Sequence, residues 1–155
     1  MMGLSREYFE GFVRRLHYHR RGDGVADHCT RDAIFIVQQL KRMCGFDPQY
    51  SDKYVWIDRD NDNAEADART ARRLDALDDD GRSFGGWEKV YFEEYWEYVC
   101  AHFTRESAET FIKRKGHDYD ELRIWVDCQV YCPEYNAIVD GILDGKIVFK
   151  EAGDA

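Results

Sequence analysis

"GWEKVYFEEYWEYVCAHFT", residues 86–104, decides the fold because it reads two ways. Phe92, Trp96, Val99 and Phe103 follow helical spacing, while the density of aromatic and β-branched types suits a pleated strand. We read it as strand, because it runs into Thr104, a residue type that caps helices. The "RESAETFIKRK" that follows places Ala108, Phe111 and Ile112 on one helical face and stops at Gly116. Beyond it "LRIWVDC" alternates Leu122, Ile124, Val126 and Cys128 against Arg123, Trp125 and Asp127, a strand with one face in the core. Strand, helix and strand from about 94 to 129 make half of a ferredoxin-like unit.

Working outward, Ser5 caps a helix whose Tyr8, Phe9, Phe12, Val13 and Leu16 share a face and which ends near Arg21, ahead of the Gly22-Asp23-Gly24 turn. "AIFIVQQL" predicts a strand over 33–39 with both faces apolar, as in a buried strand. "KYVWID" is a second strand, beyond the loop "GFDPQYSD". From Asp58 to about residue 82 the chain turns acidic and polar, an acidic surface segment with a helix from about Ala64 to Leu77. Pro133 opens a last helix through Leu143, closed by Gly145, and "KIVFK" is expected as an edge strand. The sum is an α+β fold: one domain over 1–155, with a mixed or antiparallel sheet and helices mainly on one face.

The totals narrow the class. At 155 residues the chain supports one real core. No long apolar run exists, and the first residues carry charge where a signal peptide would be apolar, so the expected location is the cytoplasm, without membrane contact. Five cysteines, an odd and scattered set, read as free thiols rather than a disulfide frame. With 31 acidic against 22 basic residues the net charge is -9, which disfavours direct nucleic-acid binding and favours basic partners. Four Trp and ten Tyr exceed what a small core readily buries, and both types anchor interfaces.

Metal-type residues occur without a fixed pattern. His17 and His19, two apart on a helix, face different ways. His28 and Cys29, with Asp23 or Asp27, would complete a mixed site only through the turn, and a polar loop whose side chains cap backbone groups is the simpler reading. Cys100-x-His102 and Cys128-x-x-x-Cys132 depart from zinc-knuckle spacing and read as small buried groups. "DRDNDNAEADAR" resembles a calcium loop at Asp58, Asp60 and Asp62, but Asn63 stands where that loop has Gly and Arg69 where it has Glu. No nucleophile triad or phosphate loop is present, so no residue is assigned a catalytic role and no cofactor is implied.

At "RRGDGVADHCTRDAIFIVQQLKRMCGFDPQY", "HFTRESAETFIKRKGHDYDELRIWVD" and "PEYNAI", the chain resembles a group of small acidic accessory proteins of tailed phages and prophages. The likeness spans most of the chain. Ser107 stands where that group often has glycine, and Cys128 and Cys132 where it often lacks cysteine. The resemblance implies no reaction. By genomic class and charge it points to inhibitors of host defence, above all anti-CRISPR proteins that occupy a surveillance or effector complex. The residues expected to engage such a basic ribonucleoprotein or protein surface are Asp58, Asp60, Asp62, Glu65, Asp67, Asp78, Asp79 and Asp80, with Trp87, Tyr91 and Tyr95. The alternatives are a metal- or thiol-dependent enzyme using His17, His19, His28 and Cys29 on a host component, and a phage regulatory or structural adaptor, with a homodimer as a further partner state.

Overall fold

The structure is a computed structural model describing residues 4–28, 30–78 and 84–151. Helices α1 (Arg6–Arg20), α2 (Gly24–His28), α3 (Ala68–Leu77), α4 (Arg105–Lys115) and α5 (Pro133–Leu143) accompany strands β1 (Ala33–Cys44), β2 (Tyr54–Asp58), β3 (Ala64–Glu65), β4 (Trp87–His102) and β5 (Leu122–Cys128). The strands form one sheet in the order β3-β2-β4-β1-β5, and the pairs β1 with β5, β2 with β3 and β2 with β4 are antiparallel. This is an α+β fold. The chain divides into two compact units: residues up to Gln39 with those from Glu97 onward, and Leu40–Trp96.

In the first unit the core lies on one face of the sheet. Ala33, Phe35 and Val37 alternate along β1 and are buried against Ala108 of α4, with Val99, Phe111, Ile112, Leu122, Ile124 and Val126 packed around them. α4 carries the chain from β4 to β5, which flank β1 on opposite sides, so the connection steps over β1 as in the expected ferredoxin-like half. α1 joins the same face through His19, whose ring lies 4.8 Å from that of Phe35. The opposite face is more open than "both faces apolar" implied. Ile34 and Ile36 are only half-buried, and Trp125, the cross-strand partner of Ile36, is 49% exposed. Arg20, though buried, pairs through Nη2 with Asp32 at 3.1 Å and donates from it to Asn136 at 2.6 Å, and its guanidinium lies over the Tyr135 ring, tying α1 to α5.

The second unit centres on Trp56, which is 1% exposed and donates its indole N–H to Asp75 of α3 at 2.8 Å. Leu74, Val90 and Phe92 are buried in the same unit, and Ser51 donates to the Phe92 carbonyl at 2.6 Å. Two expectations are corrected. The helix expected from Ala64 starts at Ala68, because Asp67 caps it by accepting from Thr70 N at 2.7 Å, while Ala64 and Glu65 pair with β2. In the first unit, "KIVFK" forms no strand: Lys146 and Ile147 donate to the Gly141 carbonyl, and Phe149 packs on Phe9 of α1.

Candidate functional site

The acidic segment does two different jobs in the second unit. Asp58, on β2, accepts from Asp60 N at 3.1 Å. Asp60 and Asp62 sit exposed in the turn that follows, where Asp62 and Asn63 take left-handed φ of 54° and 56°. Among the described residues neither Asp60 nor Asp62 has an ion-pair partner. Gly86 lies so close that a Cβ there would collide with the Asp58 and Asp60 carboxylates. The other acids are committed to structure. Glu65 pairs with Arg42 at 3.0 Å, and Asp67 is the α3 cap, its carboxyl held below the ordinary range by Thr70.

Asp78 departs most from a surface role. Its side chain is 4% exposed and pairs with Lys89 at 2.8 Å. The Lys89 ammonium lies 4.0 Å from the Tyr54 ring centroid and within 6 Å of those of Trp56 and Tyr91. Burial pulls the Lys89 pKa down, and Asp78 with the tyrosines outweighs it, leaving the pKa above its ordinary value. Asp78 is therefore unavailable to an outside partner. Trp87 and Tyr91 are half-buried, and Tyr95 is exposed. Asp79 and Asp80 lie outside the described residues, as does Cys29.

In the first unit the histidines separate. His17 is exposed, whereas His19 is 5% exposed and its Nε2 lies 2.9 Å from Glu106 of α4. His28 stands beside it, ring centroids 6.0 Å apart, and accepts from Thr30 N through Nδ1. Burial, then His19, pushes the His28 pKa down. Among the described residues no group of three or more His, Cys, Asp or Glu gathers to hold a metal ion.

A constellation that spacing alone did not reveal lies where β4 hands over to α4. Cys100 Sγ is 3.2 Å from His102 Nε2, and His102 Nδ1 is 2.8 Å from Ser107 Oγ. Burial raises the thiol pKa and lowers the imidazole pKa, so both favour their neutral forms. In one neutral tautomer the thiol donates to Nε2 and Nδ1–H donates to Ser107; in the other Nε2–H donates to the sulfur and the Ser107 hydroxyl donates to Nδ1. A neutral thiol is a poor nucleophile, so this relay orients His102 rather than activating Cys100. His102 and Ser107 line a cavity of about 640 Å³ whose rim carries Arg15, Arg114 and Lys115, with Phe111 in its wall. Arg15 and Arg114 have no ion-pair partner among the described residues, and Lys115 reaches Asp118 at 3.5 Å.

Comparison with protein-family models, curated proteins and solved structures finds no match for the chain. Among the described residues no helix is long and apolar enough to cross a membrane.

Proposed function

We propose that this protein is a phage-encoded, non-enzymatic inhibitor of a bacterial defence system, which binds a CRISPR surveillance or effector complex on a basic surface meant for nucleic acid. The observation that supports it best is the exposed β2–β3 turn. Asp60 and Asp62 are exposed there without cationic partners among the described residues, in a turn where Asp62 and Asn63 take left-handed φ, in a chain of net charge -9. Unneutralised surface carboxylates meet an Arg/Lys channel with complementary potential, which speeds encounter and weakens in salt. The contact narrows to Asp60 and Asp62, with Tyr95 as an aromatic of the same unit. The test adds tagged protein to nuclease-treated lysate from a bacterium with an active CRISPR complex. Expected is stoichiometric recovery of that complex, falling as salt rises, and about ten-fold weaker binding for Asp60→Asn with Asp62→Asn. An intact, abundant complex left behind in the lysate refutes the reading, and undiminished binding by the double variant removes the turn from it.

A second reading is favoured by the cavity of the first unit. Arg15 and Arg114, without ion-pair partners among the described residues, and Lys115 outnumber the Glu106 carboxylate in this concave site and suit a small organic anion, with Ser107 and His102 as hydrogen-bond groups and Phe111 against an aromatic body. Adenosine monophosphate and pyrophosphate are the probes. A rise in melting temperature with the nucleotide, abolished by Arg15→Gln with Arg114→Gln, supports it; no shift with either probe discards it.

A further inference from the structure

The geometry points to β5 as the two-fold interface of a homodimer, formed by antiparallel pairing of Leu122–Cys128 with the same strand of a second copy. β5 ends the strand order and pairs with β1 on one side. No strand among the described residues covers its other side, so seven residues of backbone present a free edge there. The opposite end of the order is guarded differently, by a strand of two residues. An uncovered edge of this length normally carries a proline, a bulge or an inward charge against pairing. β5 carries none of these on its core side, where Leu122, Ile124 and Val126 pack inward.

The sequence of the edge commits it to one occupant. Read from Trp125 outward, L-R-I-W-V-D-C is charge-complementary to its own reverse. Antiparallel pairing centred on Trp125 sets Arg123 opposite Asp127 of the second copy and Asp127 opposite its Arg123, both on the solvent face. Trp125 then meets Trp125, and Ile124 meets Val126 on the core face. Opposite charges and aromatic pairs directly across a strand pair are the stabilising combinations, whereas parallel in-register pairing would stack like on like. In the present structure Asp127 has no ion-pair partner among the described residues, while Arg123 donates through Nε to Gln38 Oε1 of β1 at 2.9 Å and its guanidinium lies 5.1 Å from the Trp125 ring centroid, so pairing would have to draw on its remaining N–H groups. The pairing is isologous, as a closed two-fold dimer requires.

A charge swap tests both partner and register, read by sedimentation velocity of the full chain over a range of concentrations, with far-ultraviolet circular dichroism confirming the fold of each variant. The native chain should dimerise. Asp127→Arg and Arg123→Asp should each oppose like charges twice across the axis and weaken dimerisation at least about ten-fold, and the double variant R123D/D127R should restore it. A native chain that stays monomeric overturns the proposal. So does a dimer indifferent to Asp127→Arg, because it uses another surface, and so do single variants that weaken it without rescue by the double.

Discussion

Phe35 is fully buried, touched by the rings of His19 and His28 and by the Arg105 guanidinium 5.4 Å from its centroid. Phe35→Ala removes the centre of the first unit's core and should cost about 3–5 kcal/mol, measured as a lower urea midpoint with an unchanged slope. Two half-buried imidazoles, His28 and His102, make stability depend on pH with a definite sign. Burial depresses the pKa of both His28 and His102 below the unfolded value of about 6.5, so between those values the unfolded chain binds more protons. Stability is full above about pH 6.5 and is lost as pH falls through the folded values. His102→Gln should flatten that acid-side fall, and an identical slope would show that His102 takes no part. In the second unit, Lys89→Ala removes the ammonium that faces the buried Asp78 carboxylate. It should destabilise by about 3–5 kcal/mol, against a smaller loss for Lys89→Met with Asp78→Leu, compared by thermal and urea unfolding.

At the scale of elements, the strand-to-helix joint at Thr104 is the most exacting. Its side chain is buried and accepts from Ser107 N at 3.4 Å, so Thr104→Ala should cost about 1 kcal/mol while Thr104→Ser keeps most of it, as midpoint shifts would show. Ser5, Thr104, Pro133 and Gly145 were legible in the sequence because caps and stops depend on neighbours a few residues away. β4 was legible because its aromatic density outweighs an accidental helical period. Asp67 was misread, since in a run of acids one that caps looks like one that is merely solvated. "KIVFK" failed for the opposite reason: its apolar pattern suits a strand, but the carbonyl of Gly141 and the ring of Phe9 claim it first. The site was less legible than the fold. Cys100 and His102 stood out only as metal-type residues, and Ser107 completes their relay across a turn whose geometry no spacing rule encodes. Asp78 carried no sequence mark separating it from exposed acids, because Lys89 meets it only when β4 is in place.

For the molecule as a whole, charge imbalance outweighs local pairing. Among the described residues most ion pairs, such as Arg6 with Glu151 and Arg21 with Asp140, are well exposed and contribute little. The net charge of -9 meanwhile repels itself in dilute buffer. Raising salt from about 10 to 150 mM, which shortens screening from about 30 to 8 Å, should therefore raise the melting temperature. A fall would mean that the surface pairs outweigh the net repulsion.

The aromatic shelter around Lys89 has a chemical consequence for the intact protein. An amine must lose its proton and meet the reagent to be acylated; Lys89 holds its proton tightly and is walled in by Tyr54, Trp56 and Tyr91. Exposed amines such as Lys113 and Lys146 take up an acylating label while Lys89 stays blank until the second unit opens. That one lysine thus works as a built-in seal, whose labelling by mass spectrometry records when and how often the shelter comes apart.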